Sequence, residues 1–152
     1  MRRKEKEIKE KAAMESIIEH ALVCRLAMSA HDQPYVLPLC FGYMDGSLYF
    51  HCAREGMKLD MLRINNRVCF ECDTDHELVL SETPCEWGMK GQSVVGFGRA
   101  LLLDDPESKK NALDAIMAHY GAKGPCTYTE KGVRKALIIK VEIESMTAKK
   151  IG

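Results

Sequence analysis

The chain has 152 residues, of which 46% are hydrophobic and 29% are charged. This length and composition are typical of one globular domain, and they exclude a disordered, collagen-like or coiled-coil protein as a description of the whole. The 22 basic and 22 acidic residues give a formal net charge of zero, which argues against nucleic-acid binding because proteins of that class present a basic face.

Targeting signals and cysteine usage predict the cellular compartment. No stretch approaches the ~20 apolar residues that a membrane span needs. The twin arginine Arg2-Arg3 is followed by charged residues rather than by the apolar segment of a secretory or twin-arginine signal. The seven cysteines are odd in number and scattered, unlike a disulfide framework. We therefore expect a cytoplasmic protein with reduced thiols and no membrane partner.

Hydrophobic periodicity predicts six strands and three helices. The strands are Leu22–Ser29, Tyr35–Phe41, Leu48–Cys52, Arg67–Asp73, Ser93–Leu103 and Ala136–Glu144. The helices cover residues 1–21, 56–65 and 106–120. Asp105 is a favoured N-cap for the last helix, and Pro106 suits its first position. Residues 74–91 show no regular pattern.

The fold class follows from how these elements connect. Pro38 lies inside a predicted strand and indicates an edge or a bulge, because proline cannot donate to a sheet ladder. Asp45-Gly46 is typical of a hairpin turn. Mostly antiparallel strands with outlying helices favour an α+β, mainly β domain, and we predict a closed six-stranded barrel. Residues 1–152 form this single domain, with the barrel over residues 22–147.

Three short motifs are weak indicators of chemistry. Cys69 and Cys72 form a C-x-x-C motif, but positions i and i+3 of a strand point to opposite faces, so we interpret both thiols as structural. Gly96-Phe97-Gly98 lacks the third glycine and the following helix of a dinucleotide fingerprint, which favours a bend in a strand. His51-Cys52 are strand neighbours that point apart, so they do not form a nucleophile pair.

The stretch from Tyr49 to Leu62 carries a more specific pattern. A strand ends near His51, Gly56 opens a helix, and Lys58 lies in the first turn of that helix. Free backbone N–H groups at a helix start together with one lysine make an anion site suited to phosphate. The alternatives are a solvated lysine on an exposed turn and a structural histidine in a strand.

Several short blocks in a fixed order carry a family resemblance over most of the chain, roughly residues 2–149. They include Val23-Cys24-Arg25-Leu26-Ala27, Gln33-Pro34-Tyr35-Val36-Leu37-Pro38-Leu39, Leu48-Tyr49-Phe50-His51, Glu55-Gly56-Met57-Lys58-Leu59-Asp60-Met61-Leu62 and Ser93-Val94-Val95-Gly96-Phe97-Gly98-Arg99-Ala100. The sequence resembles the pyridoxamine 5′-phosphate oxidase-like flavoproteins with the FMN-binding split-barrel fold. Within them it is most similar to the nitroimidazole-resistance and flavin-nucleotide-binding branch.

The resemblance implies FMN, with FAD as the alternative, bound at a homodimer interface. It places the flavin ring along two strands, at Pro38, Leu39, Cys40, Phe41, Phe50, His51, Cys52 and Ala53. Lys58 matches the family's phosphate-binding residue beside Gly56, Ser93 matches a polar flavin contact, and Trp87 lies in the segment expected near the flavin of the partner subunit. His51 matches the histidine close to the ring, where it would donate a proton or orient a substrate.

The implied activity is that of a flavin-dependent oxidoreductase of the nitroreductase type. Reduced flavin would pass a hydride to a small electron-poor molecule such as a nitroaromatic, with NAD(P)H as the candidate donor. The alternative is a non-catalytic flavin-binding, storage or sensing module, or a haem- or deazaflavin-binding relative. Met57 stands where the oxidases carry an arginine, and their C-terminal substrate segment has no counterpart after Ile143. Oxidation of pyridoxamine phosphate is therefore not expected.

Overall fold

The computed structural model describes residues 4–124 and 126–152. Eight strands form one antiparallel sheet: β1 (Glu7–Ile8), β2 (Cys24–Ala30), β3 (Gln33–Leu39), β4 (Gly42–Met44), β5 (Ser47–Cys52), β6 (Arg67–Val79), β7 (Gly88–Leu103) and β8 (Leu137–Ile151). Four α-helices accompany them: α1 (Lys11–His20), α2 (Met57–Ile64), α3 (Pro106–His119) and α4 (Glu130–Lys135). Short 3₁₀ turns cover Lys4–Lys6 and Pro84–Glu86.

The order of the strands closes the sheet into a split barrel. Neighbouring strands run β3-β2-β6-β7-β8-β5-β4, with β1 added to β8. The two edge strands, β3 and β4, are joined only by Cys40 and Phe41, and the three Cα–Cα steps of such a link span at most about 11 Å. The edges therefore meet at this link without being hydrogen-bonded neighbours. We call this gap, crossed by Cys40-Phe41, the split.

Several predictions about these strands are confirmed. Pro38 lies on the edge strand β3. Every second residue of β2 points into the barrel core, namely Cys24, Leu26 and Met28. Asp45 and Gly46 both have positive φ and join paired strands, which is the geometry of a two-residue hairpin turn.

The barrel core is built from side chains that alternate inward along the strands. Phe41, Phe50 and Phe70 are fully buried there, and burying side chains of this size is the main source of stability for such a domain. Ile17 and Ile18 of α1 pack against the same core. A second, smaller cluster lies on the outside of the barrel, where Ala112 and Ile116 of α3 cover Tyr49 and Ile138.

Gly42 allows α3 to approach the barrel closely. A Cβ atom at this position would come within 2.6 Å of the backbone of Ala115 and Ile116. Only a residue without a side chain fits between the helix backbone and β4. The C-terminal end of α3 is thereby held next to the split.

The prediction that residues 74–91 are irregular is wrong for most of that segment. β6 and β7 continue past the barrel as a two-stranded ribbon, residues 75–90, in which Glu77 pairs with Lys90 and Leu78 with Met89. A β-bulge between Thr74 and Glu77 marks its base. The pattern was not recognised because the bulge shifts the alternation and because both faces of the ribbon are exposed to solvent.

The remaining differences concern the ends of elements. The N-terminal helix covers Lys11–His20 rather than residues 1–21, and residues 1–3 lie outside the described part. The barrel extends to Ile151 rather than to residue 147, and it has eight strands rather than six because the short β1 and β4 carry too few residues for a periodic pattern. The predicted polar loop after α3 contains α4, which Thr129 caps through Gly132 N.

Candidate functional site

The junction between β5 and α2 presents an open helix start. Gly56 is the N-cap, with φ 122°, and has no side chain with which to cap the helix. The N–H groups of Leu59 and Asp60 bond to the Gly56 carbonyl, so those of Met57 and Lys58 lie ahead of the helical ladder. Asp60, the acidic residue of the first turn, bonds to Arg63. This helix start therefore offers the backbone donors that an anion needs.

Lys58 adds a positive charge at the same place. Its side chain is half-buried, and no acidic group pairs with it within residues 4–124 and 126–152. Burial raises the pKa of the neighbouring Cys52 thiol, and the charge of Lys58 opposes that shift. Cys52 is therefore a buried, protonated thiol beside a cation rather than a nucleophile.

Arg54, at the same junction, forms an ion pair with Asp104. One guanidinium nitrogen lies 2.8 Å from Asp104 Oδ1 and 3.1 Å from the carbonyl oxygen of Arg134, and the second nitrogen also contacts Asp104. This pairing raises the pKa of Arg54 and, together with Lys109, lowers that of Asp104. Lys58 is thus the cation of this junction that remains available for a ligand.

The structure divides the residues predicted around the ring into accessible and buried ones. Pro38, Cys40, His51 and Ala53 are exposed near the split. Leu39 faces the core and is half-buried, whereas the side chains of Phe41, Phe50 and Cys52 are buried inside it. Phe41, Phe50 and Cys52 can therefore meet a ligand only through their backbone.

Trp87 lies far from the split within one chain. Pro38 is in register with Arg25, Glu71 and Val95, so three strand spacings of about 4.8 Å separate it from β7. Trp87 precedes Val95 by eight positions, which is about 26 Å along a strand. A single chain therefore does not bring Trp87 to the residues around the split.

The indole of Trp87 is fixed in place but not covered. Its Nε1–H donates to the carbonyl of Ser81 at 2.6 Å, and the Ser81 hydroxyl donates to Glu86. The residue nevertheless remains 58% exposed. Its polar group is satisfied internally and its ring faces solvent, which is how an aromatic anchor of an interface is arranged before binding.

Ser93 shares the face of β7 that carries Trp87. Val94 points into the core, so the odd-numbered residues of this segment, from 87 to 97, point to the outside of the barrel. Ser93 itself is 5% exposed, opposite Asp73 and Lys149. Phe97, on the same face, is 55% exposed and in register with Cys69 and Ala27. Exposed apolar side chains on this side thus lie in two places, Phe97 on the barrel and Met89 with Trp87 on the ribbon, and the buried Gly91 and Ser93 separate them.

Comparison with known proteins decides the family. The profile of the pyridoxamine 5′-phosphate oxidase family matches residues 10–150. The chain belongs to this family. A crystal structure of a candidate 5-nitroimidazole antibiotic resistance protein from Bacteroides thetaiotaomicron is 37% identical, with a TM-score of 0.85 over 96% of this chain and 87% of that one. No curated protein matches the sequence significantly.

More distantly similar solved structures share the fold. The flavocytochrome Anf3 from Azotobacter vinelandii is 16% identical, with a TM-score of 0.81 over 98% of this chain and 71% of that one. An FAD binding protein from Mycobacterium smegmatis is 20% identical, with a TM-score of 0.66 over 95% and 97% of the two chains. The predicted split-barrel fold and the predicted family resemblance are confirmed.

Three other features bear on the chemistry open to this family member. Cys69 faces outward and Cys72 inward, as predicted for a C-x-x-C motif in a strand, and all seven cysteines are free. Within residues 4–124 and 126–152, no three His, Cys, Asp or Glu side chains are grouped to hold a metal. In the same residues, no helix is both long and apolar enough to cross a membrane.

Sequence reasoning missed two contributors to this region. Asp104, which fixes Arg54, follows the long strand, and no pattern in the sequence marked it. Tyr120 was placed at helical spacing with Ala112, Leu113 and Ile116, but its hydroxyl contacts the split. A tyrosine at the end of an apolar stripe was the available signal, since a phenol that packs beside apolar residues usually finds a hydrogen-bond partner.

Proposed function

We propose that the protein is a flavin-dependent oxidoreductase that binds FMN between two copies of the chain. The observation that carries this proposal is the junction of β5 and α2. It combines an uncapped helix start, one available lysine and an exposed histidine, next to strand edges that their own sheet does not pair. These features suit a phosphate group at Lys58 and a planar ring near His51.

The chemistry of the donor set fits this cofactor. Lys58 and the N–H groups that open α2 would hold the phosphate. Only one cation of the junction is available, because Arg54 is paired with Asp104, and this favours the single phosphate of FMN over the diphosphate of FAD. Bound there, a flavin supplies hydride transfer from a donor such as NAD(P)H to an acceptor.

The chain's own residues position the reactants and handle the proton. His51 projects from β5 on the face opposite Phe50, and its exposed imidazole would donate a proton to a reduced acceptor or orient it. Pro38 and Ala53 would line the ring without competing polar groups. The exposed edge admits a small electron-poor molecule, for which a nitroaromatic is the test compound.

The partner in this proposal is a second copy of the chain. Trp87 is fixed and exposed just before β7, about 26 Å along the strand direction from the row of Pro38, and Phe97 is a second exposed aromatic side chain on the outside of the barrel. In a two-fold dimer each copy would offer its ribbon to the site of the other. This arrangement covers both exposed regions at once.

The first experiment is the visible absorbance spectrum of the purified protein, followed by the mass of the small molecule that denaturation releases. A flavin spectrum with the mass of FMN is expected, and a mass of FAD would overturn the single-phosphate argument. A colourless protein that takes up neither FMN nor riboflavin would contradict flavin binding altogether.

Turnover is tested separately with NAD(P)H and a nitroaromatic acceptor. His51→Ala is expected to keep its flavin but to lose most of the reductase rate. His20→Ala, which changes an exposed histidine on α1, serves as the matched control and should keep the wild-type rate. A yellow protein that never turns over with this acceptor or with a quinone would support the non-catalytic alternative, a flavin store or sensor.

A further inference from the structure

The hydroxyl of Tyr120 bridges two backbone groups at the split, one in the Cys40-Phe41 crossing and one just before β2. It donates to the carbonyl oxygen of Leu22 at 2.8 Å and accepts from the N–H of Phe41 at 3.1 Å. The last ladder pair of β2 and β3 is Cys24 with Leu39. Continuing that antiparallel register by two residues places Leu22 opposite Phe41. The phenol therefore stands between two positions that a longer ladder would join directly.

This bridge supplies hydrogen-bond partners for backbone groups that the split leaves unpaired. The chain leaves β3 at Leu39 and must reach β4 at Gly42, so Phe41 turns away from the β2 ladder. Its N–H and the Leu22 carbonyl would lose their partners at that point, and an unpaired N–H in a fully buried residue such as Phe41 is costly. A single hydroxyl satisfies both, because it is one donor and one acceptor.

His119 supports the same connection from the preceding position. Its Nε2 lies 2.8 Å from the carbonyl oxygen of Ala21. Its ring packs between those of Phe41 and Tyr120, with distances between ring centroids of 4.2 Å and 4.9 Å. Burial raises the pKa of Tyr120 to about 12, so the hydroxyl keeps its proton throughout the neutral range. The end of α3 is thus tied to the chain segments on both sides of the crossing.

We infer that Tyr120 is a positioning residue for the flavin site, which sets the Cys40-Phe41 crossing and with it the wall that faces the ring. The inference rests on the proposed function, because that wall is the one assigned to the flavin. Cys40 lies directly before the bridged position in the chain and Pro38 lies three residues before it, whereas Gly42, next after it, packs on the backbone of α3. A shift of the crossing would move the ring-binding side of the site and leave Lys58 in place.

The test compares Tyr120→Phe with the wild type in titrations with FMN and with riboflavin, which lacks the phosphate. Loss of the hydroxyl should weaken both ligands by the same factor, about three- to tenfold, and change the visible circular dichroism of the bound flavin. Tyr128→Phe is the matched control: it removes a phenol that bonds Asp114 on α3, away from the split, and should leave both dissociation constants unchanged.

The outcomes separate this inference from the proposed function. A wild type that binds neither ligand overturns both. A wild type that binds flavin and a folded Tyr120→Phe variant with unchanged affinities and circular dichroism overturn the inference alone, even if the melting temperature falls. If that variant does not fold, the amide resonance of Phe41 in the wild type decides. It should shift when riboflavin is added, and an unshifted resonance contradicts the inference.

Discussion

The split and the ribbon are the two places where this sheet departs from a regular closed barrel, and they differ in whether contacts within the chain cover them. At the split, the Tyr120 hydroxyl bonds to both free backbone groups, and Phe41 is buried against His119. At the ribbon, apolar side chains stay exposed to solvent. Leu78, Leu80, Trp87 and Met89 are each between 42% and 65% exposed, and an isolated two-stranded ribbon is marginally stable in water.

The difference teaches where a ligand and where a partner would act. A site that keeps its shape without a ligand is a preorganised pocket wall. An apolar surface that the chain leaves uncovered is typical of an interface with another molecule. The first description fits the split, and the second fits the ribbon.

The largest effect is expected from the core that supports both regions. Phe70→Ala removes a fully buried ring from β6, whose far end becomes the ribbon. The free energy of unfolding should fall by about 3–5 kcal/mol. Chemical denaturation measures this change, and Leu78→Ala, on the exposed part of the same strand, should cost far less. Equal losses for the two variants would contradict the assignment of the ribbon as an outlying element.

Removal of the charge of Lys58 should weaken only the binding of the ligand's phosphate group. Lys58→Ala is expected to weaken FMN by roughly 10- to 100-fold, the value of charge-assisted hydrogen bonds. Riboflavin, without the phosphate, should bind as it does to the wild type. Lys11→Ala, which removes an exposed lysine of α1 that pairs with Glu15, serves as a control for general electrostatics. If FMN and riboflavin weaken equally, Lys58 does not hold the phosphate.

Removal of the exposed indole should act on association rather than on folding. Trp87→Ala is expected to raise the dimer dissociation constant about tenfold or more, with a small change in melting temperature. Analytical ultracentrifugation over a dilution series measures this. Met117→Ala, which shortens another exposed apolar side chain on α3, is the control. A dimer equally stable in both variants would remove the ribbon from the interface.

The smallest effect concerns a helix cap remote from both regions. Asp105 Oδ1 accepts from Ser108 N at 2.8 Å, and this bond lowers the pKa of the carboxyl. The stability that it contributes is therefore present above the ordinary carboxyl pKa and is lost as the pH falls through the lowered value. Melting curves from neutral to acidic pH should show Asp105→Ala less stable than wild type at neutral pH. The two proteins should converge in acid, whereas Glu82→Ala should follow the wild type throughout.

The strand pattern predicted a closed barrel and the family resemblance predicted a split one, but neither predicted the ribbon. Alternation identified the six longer strands, and Pro38, Asp45-Gly46 and Asp105 fixed an edge, a turn and a cap, since each acts through local backbone chemistry. Gly96 and Gly98 were expected at a close approach, and a Cβ at Gly98 would lie 2.2 Å from Glu142 O.

What could not be predicted depends on contacts between distant residues. The bridge made by Tyr120 joins groups separated by about a hundred residues, so no local pattern announces it. The pairing of Arg54 with Asp104 is equally non-local. The buried position of Phe41 and Phe50 followed only once the sheet was closed, although both had been placed near the ring.

The most direct test of a site shared between two copies uses heterodimers purified through two different tags. One sample combines Lys58→Ala in one chain with Trp87→Ala in the other; the second combines the double variant with a wild-type chain. A shared site predicts one intact FMN site per dimer in the first sample and none in the second. Flavin bound with wild-type affinity only in the second sample would show that each chain completes its own site and would contradict the account.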